Sequence, residues 1–150
     1  MLDRFARFSL AISNIHRCWH KLAAEEMAKY GLNSPHAIYL NTLHCYPEGI
    51  TAAKLCKLCG KDKADVSRMI SILENKGLVC KNIADGNRYR AKLVLTEEGK
   101  EAALHVRSRA ALAMERAGVG LSVEDRDIFY RSLELITTNL QALSEEGLPR

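Results

Sequence analysis

The chain has 150 residues, 27% of them charged, with a net charge of +4 at neutral pH. That length builds one hydrophobic core, and no apolar run approaches what is needed to span a bilayer, so no membrane-spanning helix is expected. No Gly-rich phosphate loop, His-Glu-x-x-His, nucleophile elbow or paired catalytic acids occurs; the chain therefore reads as a non-enzyme, with no catalytic residue, no cofactor and no metal expected.

In chain order, Phe5, Phe8, Ile12, Ile15, Trp19 and Leu22 recur at spacings of three and four, which predicts a long first helix over about 3–30. Tyr30-Gly31-Leu32-Asn33 breaks it. Ser34-Pro35 opens a second helix through Leu43, the proline being tolerated in a first turn where its missing N–H is not needed. A third helix runs from the capping Thr51 to Cys59 and is stopped by Gly60. A fourth begins near Asp62, with Val66, Met69, Ile70 and Leu73 on one buried stripe. Its other face carries Lys63, Ala64, Ser67, Arg68 and Ser71, small or polar groups suited to entering a major groove, with Lys61 in the turn before it.

After Gly77, Leu78 to Ile83 reads as a strand, Asp85-Gly86-Asn87 as a turn and Arg88 to Leu95 as the returning strand. Alternation puts Arg88, Arg90 and Lys92 on one face and Tyr89, Ala91, Leu93 and Leu95 on the other, giving a hairpin with a cationic side and an apolar side. Thr96-Glu97-Glu98-Gly99 then opens a helix ended by Gly118 and Gly120, with Ala102, Ala103, Val106, Ala110 and Ala113 on one side. Ser122-Val123-Glu124-Asp125 fits a capping box for a last helix striped by Phe129, Leu133, Ile136, Leu140 and Leu143. The two terminal stripes ask to be covered by association. The fold class expected is mainly α with a small β wing: one domain over 1–150, a winged helix-turn-helix lobe over about 34–95, and dimerisation helices over about 3–30 and 96–145.

Charge is partitioned along this plan. Between Thr51 and Lys92 there are ten Lys or Arg and four acids, net +6, whereas the segment before it carries +1 and the segment after it −3. The modest total hides a concentrated basic stretch, the footprint of phosphate neutralisation, and it coincides with the helix-turn-helix and the hairpin. The DNA-contacting set read from the sequence is Lys61, Lys63, Ala64, Ser67, Arg68, Ser71, Asn87, Arg88, Arg90 and Lys92, acting on double-stranded DNA, with an arginine of the wing in the minor groove.

The element order, Thr51 with Leu55, the span Asp62 to Arg68 leading to Leu73-Glu74-Asn75-Lys76-Gly77-Leu78-Val79, and Leu95-Thr96-Glu97-Glu98-Gly99 after the wing together resemble the multiple-antibiotic-resistance regulator (MarR) family over essentially the whole chain. The resemblance implies a homodimer with interlocked terminal helices, two winged lobes reading a palindromic operator, repression by promoter occupancy, and release by a small effector. Members of that family often carry Asp-Arg-Arg in the wing; here Asn87-Arg88-Tyr89 is followed by Arg90.

His16, Trp19, His20 and Tyr39 are the candidate lining of a pocket for a small aromatic or anionic effector. His16 and His20 also lie one turn apart, the spacing of a shared metal, although isolated histidines on amphipathic helices are more often surface groups. Cys56 and Cys59 form a Cys-x-x-Cys without a second pair at zinc spacing, and read as packing residues. With Cys18, Cys45 and Cys80 the cysteine count is odd, and with no secretory leader this points to a reducing cytoplasm. The rival readings are a redox- or metal-responsive regulator of the same fold, with Cys18 as sensor, and a winged-helix protein-interaction module that does not bind DNA.

Overall fold

A computed structural model describes residues 1–83 and 90–150. These form two compact units, Met1–Ala110 and Ala111–Arg150. The first begins with helix α1, Arg4–Ala28, capped by Asp3, whose carboxylate accepts the Ala6 N–H at 2.7 Å. Gly31, at φ 66°, turns the chain after it, as the Tyr-Gly-Leu-Asn break predicts. Helix α2 (His36–His44), strand β1 (Ile50–Thr51), helices α3 (Ala52–Cys59) and α4 (Lys63–Asn75), and strands β2 (Val79–Asn82) and β3 (Lys92–Leu95) follow, and then α5 (Glu97–Ala117), which continues into the second unit.

The sheet is antiparallel in the order β1-β3-β2, with Ile50 opposite Leu93, Thr51 opposite Lys92, and Val79 opposite Leu95. β1 is absent from the sequence reading because two residues are too few to display a period of two. The returning strand is also shorter than expected and starts at Lys92, with Arg90 and Ala91 preceding it. The predicted turn Asp85-Gly86-Asn87, and with it Arg88 and Tyr89, lies outside the described residues. The alternation itself holds where it is visible: Ala91 and Leu93 are buried, Arg90 and Lys92 exposed.

The core of this unit gathers Met27 from α1, Tyr39, Leu40 and Leu43 from α2, Leu55 from α3, Val66, Ile70 and Leu73 from α4, Leu93 from β3, and Ala102 and Ala103 from α5. Each large side chain buried here contributes about 1.5–3 kcal/mol relative to an exposed one. α5 docks unusually closely. A Cβ on Gly99 would overlap the carbonyl oxygen of Leu78, and that same oxygen accepts the Thr96 N–H at 3.0 Å. Thr96 fixes the joint from its side chain too, donating to the Gly77 carbonyl at 2.6 Å and accepting from the Gly99 N–H at 3.1 Å. The Thr-Glu-Glu-Gly segment is thus both a helix cap and a contact that admits only glycine.

The predicted stripe of α1 stays uncovered: Phe8 is 42%, Ile12 44% and Trp19 42% exposed, and Met27 is the buried residue of that helix. In the second unit, Ser122 accepts the Asp125 N–H at 3.0 Å and starts helix α6, Val123–Glu146. The predicted N-cap at Ser122 is therefore in place. Arg126 reaches back to donate to the Gly118 carbonyl at 3.0 Å, closing the turn before α6. α6 buries none of its residues, and Phe129, Leu133, Ile136, Leu140 and Leu143 form an exposed apolar face.

Candidate nucleic-acid interface

The α3-turn-α4 segment is assembled from local chemistry that the sequence makes explicit. Thr51 Oγ1 accepts the Lys54 N–H at 3.2 Å and starts α3; Gly60 ends it in the left-handed conformation at φ 62°. Asp62 Oδ1 accepts the Asp65 N–H at 2.7 Å and starts α4 two residues later. Val66, Ile70 and Leu73 then point into the core, with Met69 partly buried against it. By the 3.6-residue period the opposite face must be outward, and Lys63, Ala64, Ser67, Arg68 and Ser71 are all exposed, as is Lys61 in the turn.

The wing lies against the C-terminal end of this helix, where Lys81 of β2 pairs with Glu74 of α4 at 3.4 Å. Arg90 and Lys92 are exposed, while Asn87 and Arg88 fall among the residues not described. On α3, the Lys54 ammonium sits 4.5 Å from the centre of the Tyr46 ring, a cation–π contact that holds a further positive charge on this surface.

Arg68 is not a free arm. Its guanidinium pairs with Asp65 Oδ1 at 3.1 Å, and the other carboxylate oxygen accepts a hydrogen bond from the Tyr39 hydroxyl at 3.0 Å. Tyr39 is completely buried. Burial first, and the Asp65 contact second, push its phenol far above the ordinary range, so the hydroxyl remains a donor. His36, one turn before Tyr39, is also buried, and its Nε2 has no hydrogen-bond partner among the described residues. Burial lowers its pKa, keeping the ring neutral. The sequence offers Tyr39 both as a pocket lining and as a core aromatic, and the structure buries its ring in the core. The spacing of His36, Tyr39, Leu40 and Leu43 is the stripe of a core-facing helix.

Of the other candidate effector residues, His16 and His20 come together, their rings 5.2 Å apart and edge to face, and they share the exposed surface of α1 with Trp19. A separate open cleft of about 340 Å³ is lined by Tyr30, Lys76, Leu78, Glu98, Glu101 and Ala102; of these, Tyr30 is an aromatic residue that the sequence also offers as a pocket lining. Cys56 and Cys59 pack against the core, with Cys59 Sγ 3.8 Å from the Thr42 hydroxyl, and burial pushes the Cys59 thiol up, which makes it a poor nucleophile. Cys18, Cys45 and Cys80 are exposed and unbridged. Among the described residues, no group of three or more His, Cys, Asp or Glu side chains is placed to hold a metal ion, and no helix is long and apolar enough to cross a membrane.

No family model matches the chain at the level of sequence. Its structure, in contrast, is similar to many solved ones. A MarR-type transcriptional regulator of Listeria monocytogenes, complexed with 26mer DNA, superposes with a TM-score of 0.83 at 23% identity, covering 100% of this chain and 99% of that one. A MarR transcriptional regulator from Methanosarcina mazei Go1 gives 0.81 at 24% identity over 91% of this chain and 97% of that one. S. aureus MepR in complex with DNA gives 0.78 at 17% identity over 88% and 97%. The chain has the fold of the MarR family transcriptional regulators, a winged helix-turn-helix lobe between long terminal helices.

Proposed function

We propose that the protein is a sequence-specific, double-stranded-DNA-binding transcriptional regulator that works as a homodimer, without enzymatic activity. The observation that carries this reading is the outward face of α4. It is exposed along its whole length, bears Lys63, Ser67, Arg68 and Ser71 with no large apolar group at Ala64, and adjoins a wing with exposed Arg90 and Lys92. Phosphate contacts from the wing and the α3 lysines would set affinity, and base-edge contacts from α4 would set sequence preference. Two of the structurally similar proteins were solved with DNA, which supports the same use of the fold here.

The uncovered stripes of α1 and α6 support self-association, because exposed apolar faces of this extent are interaction surfaces on otherwise polar proteins. A two-fold dimer reads a palindrome. Repression follows from occupying a promoter, in the cytoplasm, and a small aromatic or anionic effector would relieve it from the exposed His16, Trp19 and His20 face or a neighbouring site.

Selection of duplexes from a random-sequence pool, followed by fluorescence anisotropy on the enriched duplex and a scrambled one of equal composition, tests the proposal. The enriched duplex is expected to bind at least about 10³-fold tighter, with an affinity that falls steeply with salt. Equal, weak, salt-insensitive binding to both would instead favour a winged-helix protein-interaction module.

A further inference from the structure

Arg68 is the exposed group on α4 best suited to reading a base, and its surroundings tie it to the protein core. Its side chain is 73% exposed, yet its partner Asp65 is only 22% exposed and uses both carboxylate oxygens. One takes the Arg68 guanidinium; the other takes the hydroxyl of Tyr39, which is completely buried on α2. The backbone of Asp65 is fixed independently, because its N–H is the one that Asp62 caps. The carboxylate is therefore held at three points: by its place in the first turn of α4, by the core, and by the arginine.

We propose that Tyr39 and Asp65 are positioning residues for DNA readout, a relay running from the core to the surface that presents Arg68 in a restricted set of rotamers to the base edge it reads. The proposal rests on α4 being the recognition helix and assigns a role within it. An exposed arginine pair three residues apart contributes little to folding stability, so stability does not account for the Arg68–Asp65 pair. Preordering does. A rotamer-rich side chain loses conformational freedom on docking, and a side chain already confined loses less; releasing the restraint should cost about two- to tenfold in specific affinity. Binding to unrelated sequence does not use the ordered arginine and should not share that loss.

The two variants differ in a useful way. Tyr39→Phe removes only the hydroxyl, leaves the ring packed and changes no charge. Asp65→Asn keeps the shape but removes an anion from a phosphate-facing surface, so binding to scrambled DNA should rise slightly while specific binding falls. The experiment measures affinities for the pool-selected duplex and its scrambled counterpart with wild type, Tyr39→Phe, Asp65→Asn and Arg68→Ala, and with both relay variants in the Arg68→Ala background. The specificity ratio should fall about 5- to 150-fold in Arg68→Ala. It should fall by a smaller factor in each relay variant, and neither relay substitution should lower it further once Arg68 is gone. Should Arg68→Ala lower the ratio while Tyr39→Phe and Asp65→Asn leave it unchanged, or lower it equally in the Arg68→Ala background, the relay is overturned and α4 keeps its role. An unchanged ratio in Arg68→Ala would instead overturn the reading of α4 and the relay with it.

Discussion

Replacing Gly99 with alanine should destabilise the protein, although alanine is the better helix former. The intrinsic preference favours alanine by about 1 kcal/mol in a helix interior. Against it stands a collision that flexible side chains cannot relieve: the new Cβ meets the backbone carbonyl of Leu78, with the Leu78 Cα close behind. α5 can escape only by withdrawing from the strand entrance. That withdrawal strains the Thr96 N–H to Leu78 bond at 3.0 Å and the Thr96 hydroxyl to Gly77 bond at 2.6 Å. Two hydrogen bonds weakened at about 1 kcal/mol each, and a repacking cost of about 1–3 kcal/mol, exceed the helical gain and leave a net loss of about 2–4 kcal/mol. For a domain stable by about 5–15 kcal/mol this is a large fraction. Urea denaturation of wild type and Gly99→Ala, followed by far-UV circular dichroism, measures it. A variant as stable as the wild type, or more so, would refute the close approach of α5 to Leu78.

Three further outcomes are expected. A glutamate at Ile136, on the exposed apolar face of α6, would place an unpaired charge in the proposed interface; sedimentation should show the wild type as a dimer and Ile136→Glu shifted to monomer, with operator affinity lowered in parallel. Changing Arg90 and Lys92 together to glutamine should reduce the slope of log affinity against log salt by about two units per protomer, about four for a bound dimer, if both touch phosphates, and an unchanged slope would remove the wing from the interface. Glu26 is held down to about 2, chiefly by the Lys29 hydrogen bond and then by Arg109 and His105, against the opposing effect of burial. Because its folded pKa lies below the ordinary 4.5, its contribution is complete above that value and disappears as pH falls through about 2. Unfolding midpoints measured from pH 6 to 2 should therefore fall less steeply in Glu26→Gln than in the wild type.

What could be read from the chain tracks how local the determining physics is. The caps at Thr51, Asp62 and Ser122, the stop at Gly60 and the buried stripe of Val66, Ile70 and Leu73 are governed by neighbours a few residues away, and each is where the sequence puts it. The outward face of α4 follows automatically once the inward face is known. β1 escaped notice because its identity depends on Leu93 and Lys92, some forty positions along the chain, and not on its own two residues. The partner of the Tyr39 hydroxyl, Asp65, lies twenty-six residues away, so the sequence shows an aromatic ring at helical spacing without showing what its hydroxyl meets. The Glu26 cluster was equally hidden, since it joins Lys29 to His105 and Arg109 across a long stretch of sequence. Charge density, by contrast, was legible before any fold: the excess over Thr51 to Lys92 coincides with the segment that forms α3, α4 and the wing strands.

The central claim, that α4 reads DNA from the major groove as one half of a two-fold pair, is tested most directly by dimethyl sulfate protection on the pool-selected duplex. The reagent methylates guanine N7 in the major groove, the acceptor that an arginine engages. Protection is predicted in two clusters about one helical turn apart, 10–10.5 base pairs centre to centre, with one guanine in each cluster becoming reactive again when Arg68→Ala replaces the wild type. Uniform reactivity at guanine N7 on a duplex that the protein binds tightly would contradict the account.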